Sequence, residues 1–435
     1  MDRRNPSTRM KRARSGRTGA ATLGLIMASA MVVAGCSTAT DGSSASPSST
    51  GSAPAAAAAQ GITKDTIKIG ILGPYSGSAS IYSKANRLAE SIYKEINDKG
   101  GINGRKIELV IGDDNCDAAS MQGLIRKFVE QDKVFMIHGG SCSNALVAAK
   151  PLIEESRIPF LTMNAASAAI SDPPVVNLFH SKATVAEQID AMAAFMESNK
   201  DAKNVAIAAT SDEWGQGYVK LLKPLMANGS LKVSTTEELD PQGGDSTPAI
   251  RKIINSKPDM AAVYAYPQPM TVFLKSARPQ GLNIPIVTGD GTRPDEQATR
   301  LGNRALAENF FSAYSFTAPF DDPKFDHFKE LFTKDHASLG WDTVALEGAV
   351  SAEFNIAVLT AMKDDLTWDN WIKTAESGTY DTVASGPMTF KPFVKDDART
   401  RRPGIKLHFS VLDPKSDGGK TVVVDTWSDW LALTK

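Results

Sequence analysis

From Ile62 onward, short apolar runs alternate with stretches of helical periodicity, and this alternation leaves few folds open. "IKIGILG" (67–73) reads as a buried strand. In the helix after it, Ile81, Ala85, Leu88, Ala89, Ile92 and Ile96 fall on one stripe, closed by Gly100-Gly101. The strand "KIELVIG" (106–112), a helix near 118–131, the strand "VFMIH" (134–138), a helix from about Ser143 and the strand "IPFLTM" (158–163) follow. Strands separated by helices of 10–15 residues imply βαβ units in a parallel sheet with right-handed crossovers. The pattern then restarts: "NVAIAAT" (204–210), a helix from about Gly217 to Asn228, "LKVSTTEEL" (231–239), "TPAIRKIINSK", "MAAVYAY" (260–266), a helix near 270–280 and "IPIVTG" (284–289). Two helices beyond Phe316 and a β-rich end complete the chain. The expected class is α/β, two lobes of similar make without detectable sequence repetition.

Open parallel sheets take ligands at the carboxyl ends of their strands. Those ends are "GPYSGSASIY", "DDNCD", "GGSCSN" and "NAAS" in the first lobe, and "SDEWGQG", "AYPQP" and "GDG" in the second. In "GGSCSN", Gly139 and Gly140 permit a sharp turn and Ser141 and Ser143 offer hydroxyls. The following helix presents unpaired N–H groups to an anion such as a carboxylate, with Asn164, Ala165 and Ala166 bringing more backbone beside it. The ordinary alternative makes Ser143 a helix cap and the glycines a tight turn. Asp290, between two glycines, can meet an ammonium or be a solvated turn acid. Tyr82, Trp214 and Tyr266 can wall a pocket or simply pack under loops.

The first 60 residues are of another kind. Seven basic residues precede the apolar run "AATLGLIMASAMVVAG", which stops at Cys36. "VVAGC" resembles the lipobox of bacterial lipoproteins, whose Cys becomes lipid-modified and begins the mature chain. From Ser37 to Gln60 nearly every residue is Ser, Thr, Ala, Gly or Pro, a flexible tether of about 25–30 Å reach. The chain has three cysteines, Cys36, Cys116 and Cys142. The odd number resolves if one carries lipid and the others pair in an oxidising compartment, the alternative being two buried thiols. Cleavage would remove seven of 48 basic and one of 49 acidic residues, leaving a net charge of −7, poor for binding nucleic acid. Nothing after Gly35 reads as long and apolar enough to span a membrane.

Together, "IKIGILGPYSG", "INDKGGINGRKIELVIGDDNCD" and "GGSCSN" resemble the branched-chain-amino-acid-binding family of solute-binding proteins, with the type I periplasmic-binding-protein fold, from about Ile67 to the C-terminus. The resemblance implies two lobes joined by hinge crossovers: signal peptide 1–35, anchored linker 36–64, first lobe 65–183, second lobe 184–315, return to the first lobe 316–388, and 389–435 mainly in the second. It implies a Cys116–Cys142 disulfide and a ligand carboxylate near Ser141, Ser143, Asn164, Ala165 and Ala166. It also implies an ammonium on Asp290, where relatives commonly have Glu, and aromatic walls from Tyr82, Trp214 and Tyr266. The family often has a hydroxyl residue where this chain has Ala166. The implied protein captures an amino acid or similar small carboxylate by hinge closure and delivers it to ABC permease and ATPase subunits. It needs no cofactor or metal, binds no nucleic acid, works as a monomer and meets the membrane only through its N-terminal lipid.

Catalysis finds little support. His138-Gly139-Gly140 faintly resembles an esterase oxyanion loop, but there is no G-x-S-x-G elbow. His327 and His336 lack zinc-protease spacing, and Asp113-Asp114 has no nucleophile partner. A small-acid- or amide-sensing receptor of the same fold, signalling through a partner, is the alternative; a purely structural surface lipoprotein would have no ligand cleft.

Overall fold

A computed structural model describes residues 60–77 and 79–435. The expected export signal, Cys36 and most of the expected linker lie outside the described residues.

The first half contains β1 (Thr66–Gly73), α1 (Ser83–Asp98), β2 (Lys106–Asp113), α2 (Ala118–Glu130), β3 (Met136–Gly139), α3 (Ser143–Ser156), β4 (Phe160–Leu161) and β5 (Leu178–Phe179). These strands form one parallel sheet in the order β2-β1-β3-β4-β5. Next come α4 (Val185–Ser198), β6 (Asn204–Thr210), α5 (Glu213–Asn228), β7 (Lys232–Leu239), α6 (Thr247–Asn255), β8 (Met260–Tyr264), α7 (Pro267–Ala277), β9 (Ile286–Thr288), α8 (Pro294–Leu301) and β10 (Phe310–Tyr314). The chain returns through α9 (Asp326–His336), α10 (Thr343–Met362), α11 (Trp368–Ser377) and the hairpin β11 (Thr379–Thr382)–β12 (Gly386–Thr389). It ends with β13 (His408–Leu412), β14 (Thr421–Val424) and α12 (Trp427–Thr434). The second sheet has the order β14-β13-β10-β9-β8-β6-β7, parallel from β7 to β10 and antiparallel through β13 and β14.

Strand pleating assigns the cores. Ile67, Ile69 and Ile71 face α1 and α10, whereas Leu72 and Ile137 pack with Phe128 and Leu146 on the opposite face. In the second lobe Val205, Ile207 and Ala209 face one way and Ala206 and Ala208 the other. The inner strands of both sheets are therefore covered on both faces, which is why they read as largely apolar runs, whereas the edge strands β2 and β7 keep polar, partly exposed residues.

α10 corrects one expectation. Its 20 residues are apolar all round, and by length and composition it could cross a membrane. Here it is the central helix of the first lobe, with 13 residues buried, as an all-round apolar helix in a globular core must be. It lies tight against α1: a Cβ at Gly348 would sit 2.1 Å from the Ala85 carbonyl oxygen.

Three segments connect the lobes. The first is "HSKAT" (180–184), ending in a capping box in which Thr184 N–H donates to Glu187. The second follows β10. The third falls later than residue 389: Phe390 belongs to the first-lobe core, and the buried Arg401 donates to the carbonyls of Val175 and Val176 and pairs with Glu376 at 2.6 Å. Arg402 then holds the first lobe's Ser171 and the second lobe's Glu187, each at 2.8 Å.

Candidate functional site

The second lobe's aromatics form a continuous stack. Trp214, in the first turn of α5, lies between Tyr264 at the end of β8 and Tyr266 before α7, with centroids 4.1 and 4.3 Å away. Tyr218 continues the stack beneath Tyr264 at 3.6 Å. Tyr264 is buried and Tyr266 is 37% exposed, so the stack runs from the core to the surface. The Tyr266 phenol is pushed up to about 12, by burial, by its hydrogen bond to Asp212 and by that residue's charge, and by the phenol of Tyr82. Tyr82, half-exposed, precedes α1 in the first lobe. Of the three aromatics expected at the strand ends, Trp214 and Tyr266 are brought together, and Tyr264 joins them.

On the first lobe, the glycines serve the sheet. Gly139 has φ 152°, and a Cβ there would stand 2.0 Å from the Leu72 carbonyl oxygen. Gly140 has φ 86° and donates its N–H to that same carbonyl. Ser143 is the first residue of α3 and does not cap it. The cap position belongs to Cys142, which makes no side-chain bond to the first turn. Instead the Ser143 hydroxyl accepts from Ser167 N–H at 3.3 Å, fastening the loop after β4 to α3. Ser141 donates to the Asn164 side-chain oxygen at 3.0 Å. Ala165 is buried, and the Ala166 carbonyl accepts from Val185 N–H at the start of α4. A disulfide joins Cys116, after β2, to Cys142, with Cα atoms 5.4 Å apart, as the resemblance implies.

Asp290 lies after β9, its N–H bonded to Gln188. It is not a lone acid. Lys182, from the first connecting segment, places its ammonium 2.7 Å from Asp290 and 2.6 Å from Glu347 of α10. Asn164 donates to the other oxygen of Glu347. A polar chain thus runs Ser141–Asn164–Glu347–Lys182–Asp290 from one lobe's strand ends to the other's. Burial opposes the charged ammonium of Lys182, but the two carboxylates outweigh it and hold its pKa well above that of ordinary lysine. Burial raises the Glu347 carboxyl, Lys182 opposes that shift, and Asp290 adds to it. Lys182 and Glu347 were missed in the sequence. Their signals were modest: a lone acid in the apolar run "VALEGAV", which must find a cation once buried, and a lysine between the lobes.

His138 belongs to the core. Its Nδ1 meets the Tyr93 hydroxyl at 2.9 Å, Asn355 donates to that hydroxyl, and Trp371 donates to Asn355. Burial depresses the imidazole to about 3, against about 6.5 in an unfolded chain. The depressed pKa means its stabilising contribution is complete above pH 6.5 and is lost as pH falls toward 3. The loss is about 1.4 kcal/mol per pH unit. Asp114 and Glu353, raised by burial to about 6 and about 7, oppose this trend in the same range. Denaturant unfolding at pH 7.5 and 5.0 separates them: His138→Gln is expected to lose about 2 kcal/mol less than the parent over that interval. Equal losses would show that His138 is protonated in the fold.

Among the described residues no cluster of three or more His, Cys, Asp or Glu side chains is placed to hold a metal. The family model of the periplasmic binding proteins matches residues 66–404. An amino acid binding protein of Pseudomonas aeruginosa is 26% identical over 237 residues, 54% of this chain and 63% of that relative. The chain thus matches less than two thirds of that relative's length. Among solved structures, an ABC transporter substrate-binding protein from Sphaerobacter thermophilus superposes with a TM-score of 0.70 at 17% identity, over 83% of this chain and 96% of that one. A solute binding protein of an ABC transporter from Rhodopseudomonas palustris, solved with p-hydroxybenzoic acid, gives 0.65 at 22% identity, over 83% and 96%.

Proposed function

Because the chain belongs to the periplasmic binding protein family, we propose that it is the extracytoplasmic solute-binding lipoprotein of an ABC importer. It is anchored through Cys36, captures an amino acid or similar small carboxylate between its lobes, and delivers it to a membrane permease without catalysis. The observation that supports this reading is the meeting of the two lobes at Lys182, Glu347 and Asp290, with the Trp214–Tyr266 stack also at the second lobe's strand ends. The first-turn amides of α3, uncapped by any side chain, supply the anion-binding end. The aromatic stack supplies a wall for the apolar body. The relatives named above carry printed names for amino acid and hydroxybenzoic acid binding, which supports a small carboxylate as the solute.

Entry requires opening. The cavity between Asp290, Arg293 and Glu347 is about 20 Å³, room for one water. A solute reaching Asp290 therefore enters with the lobes apart, and closure over it shifts an existing equilibrium. The test is thermal unfolding of the purified protein against amino acids, aromatic acids, aliphatic hydroxy acids and polyols. A true ligand at 100 times its dissociation constant adds about 2.7 kcal/mol, and Trp214→Ala is expected to weaken its binding at least tenfold. If no solute stabilises the protein, the proposal fails.

A further inference from the structure

We infer that the solute held at this joint is a carboxylic acid bearing a neutral hydroxyl, and not an α-amino acid. The inference rests on the solute-binding reading above and names its substrate class. An α-amino acid needs an unpaired acid for its ammonium, and Asp290 is the acid the second lobe offers. Its Oδ2 is already 2.7 Å from the ammonium of Lys182. Glu347 is spent as well, one oxygen on Lys182 and the other on Asn164. The chain has built its own ammonium into the position that an amino-acid ligand would have to fill.

Lys182 has little freedom to withdraw. Its neighbour Ser181 donates its N–H to the Thr162 hydroxyl oxygen and its own hydroxyl to the Met163 carbonyl. On the other side Ala183 is buried and Thr184 caps α4. The ammonium is thus delivered from a fixed stretch of backbone. What remains for a ligand is the second oxygen of Asp290, whose side chain is 19% exposed. A second ammonium on that carboxylate would lie beside that of Lys182, in a joint too small for water to screen the repulsion. A hydroxyl donates to the same oxygen and brings no charge. The face of Trp214 and Tyr266 is left to accommodate the apolar part of the molecule.

Matched pairs test this directly. L-Leucine and L-2-hydroxy-4-methylpentanoate differ only in ammonium against hydroxyl, as do L-phenylalanine and L-3-phenyllactate. Isothermal titration of the full-length protein is expected to show the hydroxy acid binding at least tenfold tighter in one pair or both. In Lys182→Met the preference should shrink or reverse, because Asp290 is then released; the parent comparison stands without that variant if it fails to fold. Tighter binding of either amino acid overturns the inference and leaves the solute-binding reading intact. So does binding of neither series when another solute of the thermal panel stabilises the protein. Absence of stabilisation by any solute overturns both.

Discussion

Lys182→Met is expected to lower the free energy of unfolding by about 3–5 kcal/mol, the usual cost of stripping one partner from a buried ionic group. The loss comes from the acids left behind. Asp290 and Glu347 are both within 2.7 Å of the lysine nitrogen, and Met fills the space without neutralising either. Glu347 already has a raised carboxyl pKa and escapes by taking a proton. The destabilisation should therefore be largest above neutrality and smaller at pH 5. Removing one of the two acids as well, in Lys182→Met/Glu347→Gln, returns the cluster to its original net charge and should recover part of it. Urea unfolding at both pH values reads the effect. A single variant within about 1 kcal/mol of the parent at pH 8 would mean that the two acids are solvated, contrary to the geometry.

Replacing both disulfide cysteines by serine should cost about 3–4 kcal/mol, the chain-entropy value for a loop of this length, the cysteines being 26 residues apart. The local consequence is at least as informative. Asn115 and Cys116 both have left-handed φ angles, 46° and 57°, which non-glycine residues adopt only when their surroundings insist. Asp113 helps, accepting from the N–H groups of Tyr75 and Asn115 at 2.9 and 3.0 Å. Without the covalent tie, the 113–117 turn and the first turn of α3 should lose hydrogen-exchange protection ahead of the sheet. Unchanged exchange there would assign the turn's conformation to the hydrogen bonds of Asp113 and Asp114.

Regular pattern made most of the architecture legible. β6 was readable because apolar residues run uninterrupted through a strand buried on both faces, β1 and β2 because Ile or Leu recurs at alternate positions, and α1 because its stripe is so regular. β10 was not read as a strand, although Gly302-Asn303 closes α8 and the left-handed Asn309 turns the chain into "FFSAY". Yet β10 is where the second sheet changes from parallel to antiparallel. β5, two residues long, gives too short a run for any period to register. At the candidate site, aromatics at strand ends announced themselves by type and place. The pairing of Asp290 with Lys182 could not, because the two are 108 positions apart and meet only when the connecting segment crosses between lobes. An acid's partner is a property of tertiary geometry. In the same way Gly139 and Gly140 suggested space for a ligand and prove to be spacing for the neighbouring strand.

The threading of the chain carries a consequence for its synthesis. The first lobe's core waits for α10, more than 150 residues downstream of β5, and β10 keeps an open edge until β13 arrives. Phe195 and Phe311 likewise stay uncovered until Phe409, Trp427 and Trp430 have been made. Neither half can finish before residues 409–430 have been made, and such distant pairings are slow to find. The nascent polypeptide thus stays loose until those residues emerge.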